Sequence, residues 1–197
     1  MFAVIFEVQP RAEAWEAYLG HAAMLRPELL CIDGFLDNER FASRGRPGWL
    51  VSLSLWRNEK ALVRWRTQAR HHLAQGQGRD TVFADYRLRV GEVTLDTAAT
   101  EPLPQLRFDE TEAGPAKAVS LTDGAADALA PLPGALDSDL FDSITRPGIG
   151  LLLHAWPTPA DAIVPPNGRT RVVRVIRDYG LHRREEAPQY FPPAQPA

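Results

Sequence analysis

The sequence predicts an α+β protein built from two tandem ferredoxin-like units, each β-α-β-β-α-β in order, whose sheets pack together as one closed barrel within the chain. The main observation is that residues 34–56 recur one hundred positions later, as residues 134–156, without a gap. The second copy is degenerate, because it keeps the strands and loses the helices. The shared residues, in first-copy numbering, are Gly34, Leu36, Asp37, Phe41, Ser43, Arg46, Pro47, Gly48, Leu53 and Trp56.

Each copy of this repeat has the pattern of a β-hairpin. Two runs of β-forming residues flank an Arg-Pro-Gly sequence, at residues 46–48 and again at 146–148. Proline fixes φ and glycine accepts a positive φ, so this tripeptide favours a tight turn. We expect the apolar faces of the two second-hairpin strands, at 49–56 and 149–156, to meet inside the barrel.

The first unit is predicted to span residues 1–96. Its opening FAVIFEV run is apolar on both faces, which favours a strand that is covered on both sides. Apolar residues at 15–29 follow helical spacing, and after the hairpin Asn58 can cap a second helix that runs to about Gly76. A long strand at 82–93 completes the unit.

Residues 97–115 are rich in Thr, Ala, Pro and Glu and are predicted to link the first unit to the second, residues 116–183. In the second unit, prolines interrupt the region of the first helix. The stretch between Trp156 and Arg171 is eighteen residues shorter than its counterpart and contains four prolines, so the second helix is also expected to be lost. The proline-rich tail, 184–197, is predicted to run extended along a surface.

A sheet that has lost its helices can serve as the partner sheet of the first unit. We therefore expect a monomer that contains an internal pseudo-dimer, with one ligand site per chain, under the second helix of the first unit. Further homodimerisation stays open.

The composition excludes several classes of function. The formal net charge of −3 and the scattered arginines offer no basic surface for nucleic acid. The opening apolar run ends too soon for a signal peptide or a membrane span, and Cys31 is the only cysteine, which favours a soluble cytoplasmic protein. The five histidines are too dispersed for a metal site, and no nucleotide-binding or nucleophile motif is present.

Several short sequences of the first unit together resemble a known family. They are AVIFEV at 3–8, IDGF at 32–35, LSLWRNEKALVRWR at 53–66, His72, Gly78-Arg79, and FADYRLRV at 83–90. As an ordered set they resemble the antibiotic biosynthesis monooxygenase family, a branch of the dimeric α/β barrel proteins. That family includes cofactor-independent monooxygenases of aromatic polyketides and quinols, haem-degrading enzymes, and members without a known substrate.

The resemblance implies a small aromatic ligand, O₂ as co-substrate, and no cofactor. Trp65 matches a tryptophan of the second helix that lines the ligand pocket in several family members. The haem-degrading branch also has an asparagine near the end of strand 1 and a histidine about three turns after the tryptophan. Here strand 1 carries Glu7, and the histidines follow Trp65 by only six and seven positions, so haem is the less favoured alternative.

Trp65 and His72 are the candidate catalytic pair. In an uninterrupted helix a step of seven residues turns about 700°, so His72 is expected on the face of Trp65 and His71 away from it. Trp65 would stack on a flat substrate while His72 polarises an oxygen or moves a proton. The alternative is a core tryptophan with a hydrogen-bonded histidine at its edge, and the residues alone leave both open.

Four further residues are candidates for substrate binding. Tyr86 is expected either to point into a cavity or to pack in the core, with packing favoured. Arg66, about 100° from Trp65 around the helix, is either a ligand contact or a solvated charge. Glu7 is expected to pair with an arginine or to be an acid of raised pKa. Asn38, in the hairpin, can donate a hydrogen bond to a ligand oxygen.

The favoured function is that of a monooxygenase-like protein acting on a flat phenol or hydroquinone without a cofactor. Such a substrate reduces O₂ itself once deprotonated, so the protein must bind it, deprotonate it and exclude water. A haem-binding or haem-degrading enzyme is one alternative, and a non-catalytic ligand-binding module is another. A gap between sheet and helices that is filled entirely by side chains would favour the non-catalytic module.

Overall fold

In the computed structural model, which describes residues 1–187, eight antiparallel strands form one closed barrel. The strands are β1 (Phe2–Pro10), β2 (Phe35–Ser43), β3 (Leu50–Trp56), β4 (Phe83–Asp96), β5 (Ala118–Ala125), β6 (Asp137–Ser143), β7 (Ile149–Trp156) and β8 (Arg169–Gly180). The helices are α1 (Trp15–Leu30), α2 (Glu59–Thr67) and α3 (Ala69–Gln77). Around the barrel the order is β1-β3-β2-β6-β7-β5-β8-β4, and β4 pairs again with β1.

The first four strands form one half of the barrel, with α1, α2 and α3 packed on its outer face. The predicted β-α-β-β-α-β order is confirmed, except that the second helix is divided in two at Gln68. Asn58 caps α2, because its side-chain oxygen accepts a hydrogen bond from the backbone N–H of Ala61 at 3.0 Å. None of the helices in residues 1–187 has the length and apolar character that crossing a membrane requires.

The second four strands form the other half, and their helices are reduced to single turns, as the prolines predict. The turns are Ala126–Ala128 and Pro159–Asp161. An irregular segment covers part of the outer face instead, since the backbone N–H of Leu132 donates to Nε2 of the fully buried His154 at 2.9 Å. The expected degenerate second unit is therefore confirmed.

The two halves are joined at two seams, β2 with β6 and β4 with β8. In the first seam Phe41 lies opposite Ser143, and Ser43 lies opposite Phe141. Because these residues are repeat equivalents, the seam is reciprocal, as in a two-fold symmetric dimer. The intramolecular barrel predicted from the hairpin repeat is thus confirmed.

The interior of the barrel is an apolar core to which both halves contribute. The second-hairpin strands β3 and β7 each supply alternate side chains, as expected from their period of two. The buried residues of this core are Ala3, Ile5, Phe41, Val51, Leu53, Leu55, Val93, Val119, Leu121, Phe141, Leu151, Leu153, Val173 and Val175.

Ion pairs across the β2–β6 seam are also duplicated by the repeat. Arg46 Nε lies 2.8 Å from Asp139, and in the equivalent place Arg146 pairs with Glu39. Both arginines are partly exposed, and such pairs contribute little to stability individually. Their reciprocal arrangement instead favours one register of the seam over shifted ones.

The Arg-Pro-Gly turn forms as the sequence predicts. The backbone N–H of Trp49 donates to the carbonyl oxygen of Arg46 at 3.0 Å, and Gly48 has φ +78°. Proline at the second position and a glycine of positive φ at the third define a type II turn. Gly148 has φ +80°, so the second copy uses the same turn.

Gly91 is required where β4 approaches β8 across a shift in register. A Cβ atom at this position would lie 2.1 Å from the carbonyl oxygen of Arg174. We expect Gly91→Ala to lower the free energy of unfolding by about 2–3 kcal/mol, because backbone has to move to relieve the overlap. Urea unfolding measures this loss.

The matched control is Gly20→Ala, at an exposed position of α1 where a Cβ would meet nothing within 4 Å. Alanine is the better helix former, so this change should raise stability by about 0.5–1 kcal/mol. Unfolding of Gly91→Ala at the wild-type urea concentration would contradict the close approach of the two strands.

Candidate functional site

A cavity of about 250 Å³ lies between the three helices and the outer face of the first unit's sheet. The side chains of residues 1–187 therefore do not fill the gap, and it lies under the second helix, where the sequence places the site. Tyr179 and Arg184 of the second half also line it, so the cavity is not formed by the first unit alone. The apolar part of its wall includes Val4, Phe6, Leu25, Leu29, Leu62, Leu88 and Val90.

The break at Gln68 decides which histidine faces this cavity. Gln68 is extended, with φ −62° and ψ 130°, between the end of α2 and the start of α3. Its side-chain oxygen accepts from the backbone N–H of His71 at 2.7 Å and so caps α3. Its side-chain nitrogen donates to the carboxylate of Glu28 on α1. The break is therefore held by a tertiary contact.

His71 lines the cavity together with Trp65, and the two rings stack at 4.2 Å with 14° between their planes. His72 is not among the described residues that line it. The expectation that His72 shares the face of Trp65 is wrong, because it assumed uninterrupted helical rotation between them. The catalytic role assigned to His72 stays a prediction without this geometric basis.

The hydrogen bonding of His71 fixes its tautomer. Nδ1 lies 2.8 Å from the carbonyl oxygen of Trp65, which can only accept, and 3.2 Å from the amide nitrogen of Gln75, which can only donate. The shorter contact is with the carbonyl oxygen, so we assign the hydrogen to Nδ1 and the acceptor role to Nε2. Burial lowers the pKa of His71 to about 4. The imidazole is therefore neutral near pH 7 and can accept a hydrogen bond.

Tyr86 is both buried and part of the cavity wall, so it satisfies both of the alternatives that the sequence left open. Its ring packs against Phe6, with centroids 5.5 Å apart. Its phenolic oxygen accepts hydrogen bonds from Nη1 of Arg79 and from Nη1 of Arg184, each at 2.8 Å. Tyr86 thus places a polar group at the edge of an apolar cavity, beside the second half of the chain.

Asn38 also lines the cavity, but its donor capacity is already used. Its Nδ2 donates to Ser52 Oγ and to the carbonyl oxygen of Leu53, each at 3.0 Å. Both hydrogens of Nδ2 are therefore used, and Asn38 has none left to donate to a ligand oxygen. Its Oδ1 remains available as an acceptor. Arg66 lines the cavity, as one of its two predicted alternatives requires.

Glu7 lies on the opposite face of the sheet from the cavity and is not part of its wall, so its substrate-binding role stays a prediction without support from this geometry. It points into the barrel on the face of Ala3 and Ile5, and it pairs with Arg89 and, at 2.7 Å, with Arg46. Burial alone would raise the pKa of Glu7, but the attraction of the arginines outweighs it and holds that pKa below its usual value. The alternative of an arginine partner is the one observed.

Among residues 1–187, every cavity-lining residue that carries a formal charge is an arginine, and no aspartate or glutamate lines the wall. The arginines are Arg26, Arg40, Arg66, Arg79 and Arg184. A low-dielectric cavity lined by charges of one sign attracts ligands of the opposite sign. The sequence analysis did not identify Arg40 as a site residue, although it follows Asn38 by two positions on one strand and so shares its face.

Within the described part of the chain, no group of three or more His, Cys, Asp and Glu side chains is placed to hold a metal ion.

Comparison with known proteins identifies the family of the chain. The family model for antibiotic biosynthesis monooxygenase matches residues 1–77. Jasmonate monooxygenase ABM of Pyricularia oryzae is 44% identical over 214 residues, covering 98% of this chain and 100% of that protein. The solved structure of Rv0793 from Mycobacterium tuberculosis is similar, with a TM-score of 0.44 and 22% sequence identity, and the match covers 50% of this chain and 98% of that one. A structure from Lactobacillus acidophilus NCFM has a TM-score of 0.45 and 10% identity, and the match covers 90% of this chain and 94% of that one. Because the Pyricularia relative aligns over nearly the whole sequence, the chain belongs to the antibiotic biosynthesis monooxygenase family.

Proposed function

We propose that the protein is a monooxygenase whose substrate is a small, largely apolar organic anion bound in the cavity between the helices and the sheet. The observation that carries this proposal is the composition of the wall, where five arginines stand among apolar side chains and no aspartate or glutamate of the described residues is part of the lining. Apolar walls reward burial of a hydrocarbon skeleton, and the arginines offset the cost of burying its charge.

The first substrate to test is jasmonate. The relative that shares 44% of its residues is named a jasmonate monooxygenase. Jasmonate combines an apolar cyclopentanone skeleton with one carboxylate, which is the combination that the cavity offers to bind. Oxygenation of such a molecule at a carbon atom leaves the second oxygen atom of O₂ to be reduced to water, which requires two electrons from an added reductant.

A flat phenol or hydroquinone is the second candidate, favoured by the stacked rings of Trp65 and His71 in the wall. We propose that the neutral His71 accepts a hydrogen bond from the phenolic hydroxyl through Nε2, and that the arginines lower the pKa of this hydroxyl and stabilise the anion. The anion then reduces O₂ directly without a cofactor. For an anthrone, the CH₂ carbon becomes a carbonyl carbon, and the other oxygen atom leaves with two hydrogens as water, so atoms and electrons balance.

The test is oxygen uptake with product analysis, using jasmonate with and without NADPH or ascorbate, and a panel of hydroquinones and anthrones without additive. We expect turnover of one of these classes, and Trp65→Ala should lower kcat/KM about tenfold or more because a ring of the wall is removed. The exposed Leu73→Ala is the control and should be unchanged.

The proposal would be contradicted if none of these substrates were turned over and Trp65→Ala bound them as the wild type does. Tight binding of a panel member without oxygen uptake would support the non-catalytic binding module instead. Titration with haemin covers the remaining alternative, for which a shifted Soret band is the positive result.

Two neighbouring histidines allow a matched comparison of the geometric and the sequence-based assignments. We expect His71→Gln to lower kcat by about 10²-fold, because the ring that stacks on Trp65 and accepts the phenolic hydrogen bond is lost, and His72→Gln to keep it near wild type. Since the pKa of His71 is about 4, its neutral form dominates above roughly pH 5, and the His71-dependent rate should be flat from pH 6 to 8. Loss of activity in His72→Gln alone would restore the sequence-based assignment.

A further inference from the structure

Four polar side chains form a cluster on the outer face of the first half's sheet, where it borders the cavity. They are two cross-strand pairs of β2 and β3, Asn38 with Ser54 and Arg40 with Ser52. All four line the cavity. Nδ2 of Asn38 donates to Ser52 Oγ at 3.0 Å, so the two pairs are connected.

The hairpin repeat provides an internal comparison for the second of these pairs. The residues equivalent to Arg40 and Ser52 are Leu140 and Leu152, which again lie opposite each other, on β6 and β7. Neither leucine is part of the cavity wall, and Leu152 is fully buried. The barrel therefore forms this cross-strand pair from two leucines. Folding gives no reason for an arginine and a serine at the same place in the first half, where partial burial of a guanidinium costs free energy.

The guanidinium of Arg40 is paired with a neutral group. It donates a hydrogen bond to the phenol of Tyr18 on α1. Burial raises the pKa of Tyr18, and the charge and hydrogen bond of Arg40 offset this only in part, so the phenol is neutral at pH 7. This partner brings no negative charge, and Nε of Arg40 is buried without a hydrogen-bond partner among residues 1–187. A ligand that brings a charged acceptor to this side chain is therefore favoured.

Ser52 offers a second donor beside this guanidinium. Its Oγ accepts from Asn38, so the hydroxyl hydrogen is left to donate. Residues directly opposite each other on antiparallel strands have Cβ atoms about 4.5–5.5 Å apart. The hydroxyl of Ser52 and the guanidinium of Arg40 can therefore reach the two oxygens of one carboxylate.

We propose that Arg40 and Ser52 bind the carboxylate of the substrate, and that this pair determines specificity for an acid over its neutral ester. This rests on the proposed function for the presence of substrate in the cavity. An ester of the same skeleton fills the same apolar volume, but it brings no charge to offset that of Arg40. Because the second half carries leucines at both positions, this carboxylate site occurs once per chain.

The test measures binding of jasmonate and of methyl jasmonate to the full chain by isothermal titration calorimetry. We expect the wild type to bind the acid about tenfold or more tightly than the ester. Arg40→Leu, which introduces the residue type of the second half, should lose this preference through weaker binding of the acid, with ester binding unchanged. Arg40→Lys should keep part of it, because the charge remains without the planar geometry. Ser52→Ala should reduce it by a smaller factor, because one hydrogen bond is lost.

The matched control is Arg57→Gln, which removes the same charge from an exposed side chain outside the cavity wall and should keep the full preference. Unchanged ester binding shows that Arg40→Leu is folded. Equal binding of acid and ester by the wild type, no binding of the acid, or an unchanged preference in Arg40→Leu would each overturn the site, as would an unchanged preference in both Arg40→Lys and Ser52→Ala. Failure of the proposed function is distinct, because it shows as an absence of oxygen uptake while the acid still binds with this preference.

Discussion

A chain that ends at residue 96 will not remain a soluble monomer. In the full chain, the inner face of the β1–β4 sheet is covered by the other half, and the edges of β2 and β4 are paired with β6 and β8. Truncation exposes that apolar face together with two unpaired edges. Burial contributes about 25 cal/mol per Å² of apolar surface, so the fragment is expected to dimerise through the same face or to aggregate.

Light scattering after size exclusion, over a range of protein concentrations, measures this outcome beside the full chain. We expect the full chain to elute as a single species with a complete barrel. A fragment that stays monomeric and unfolds at the same urea concentration as the full chain would show that the second half is dispensable for folding.

Removing one partner of the buried Arg89–Glu7 pair will be the most damaging single substitution that we predict. Arg89 is 1% exposed and Glu7 is 4% exposed. Arg89→Leu leaves the carboxylate inside the barrel with the partly exposed Arg46 as its remaining close partner. The expected loss is about 3 kcal/mol in the free energy of unfolding, measured with urea at pH 7.

The double variant Glu7→Leu with Arg89→Leu is the control, because it removes both charges, and Arg46 keeps Asp139 as a partner. It should be more stable than Arg89→Leu alone. The lowered pKa of Glu7 adds a second readout: in the wild type its contribution to stability is fully present above the unfolded-state value of about 4.3, and it is lost as pH falls below that value through the lower folded-state pKa. Arg89→Leu should lose this decline in stability between pH 5 and pH 3. Equal stability of Arg89→Leu and the wild type would contradict the pairing.

The architecture could be predicted from the sequence because its evidence is local and repeated. The hairpin sequence occurs twice with the same turn residues, and the prolines at 157–166 prevent a regular helix through their own backbone geometry, independently of tertiary contacts. A sheet stripped of helices leaves few ways to bury its apolar face, and a second sheet in the same chain is the nearest one. These constraints act within a few residues of each other, so a single sequence reveals them.

The site was predicted less completely, because its geometry depends on contacts between distant elements. The choice between His71 and His72 follows from the break at Gln68, which a side chain of α1 holds in place. No proline or glycine marks that break in the sequence. Trp65 lines the cavity because its place on α2 is set by the local rotation of the helix, whereas Arg184 reaches the cavity from another part of the barrel.

The reciprocal β2–β6 seam has a consequence during translation. A ribosome adds about 5–20 residues per second, so β2 waits roughly 5–20 s for the strand that pairs with it, which lies one hundred residues later. Because Phe41 and Ser43 pair with their own repeat equivalents, the edge of β2 also fits the β2 edge of another unfinished chain. Neighbouring nascent chains on one polysome present such edges to each other. Cotranslational mispairing of β2 edges between neighbouring chains is therefore a hazard that follows from the one hundred residues between the two strands of this seam.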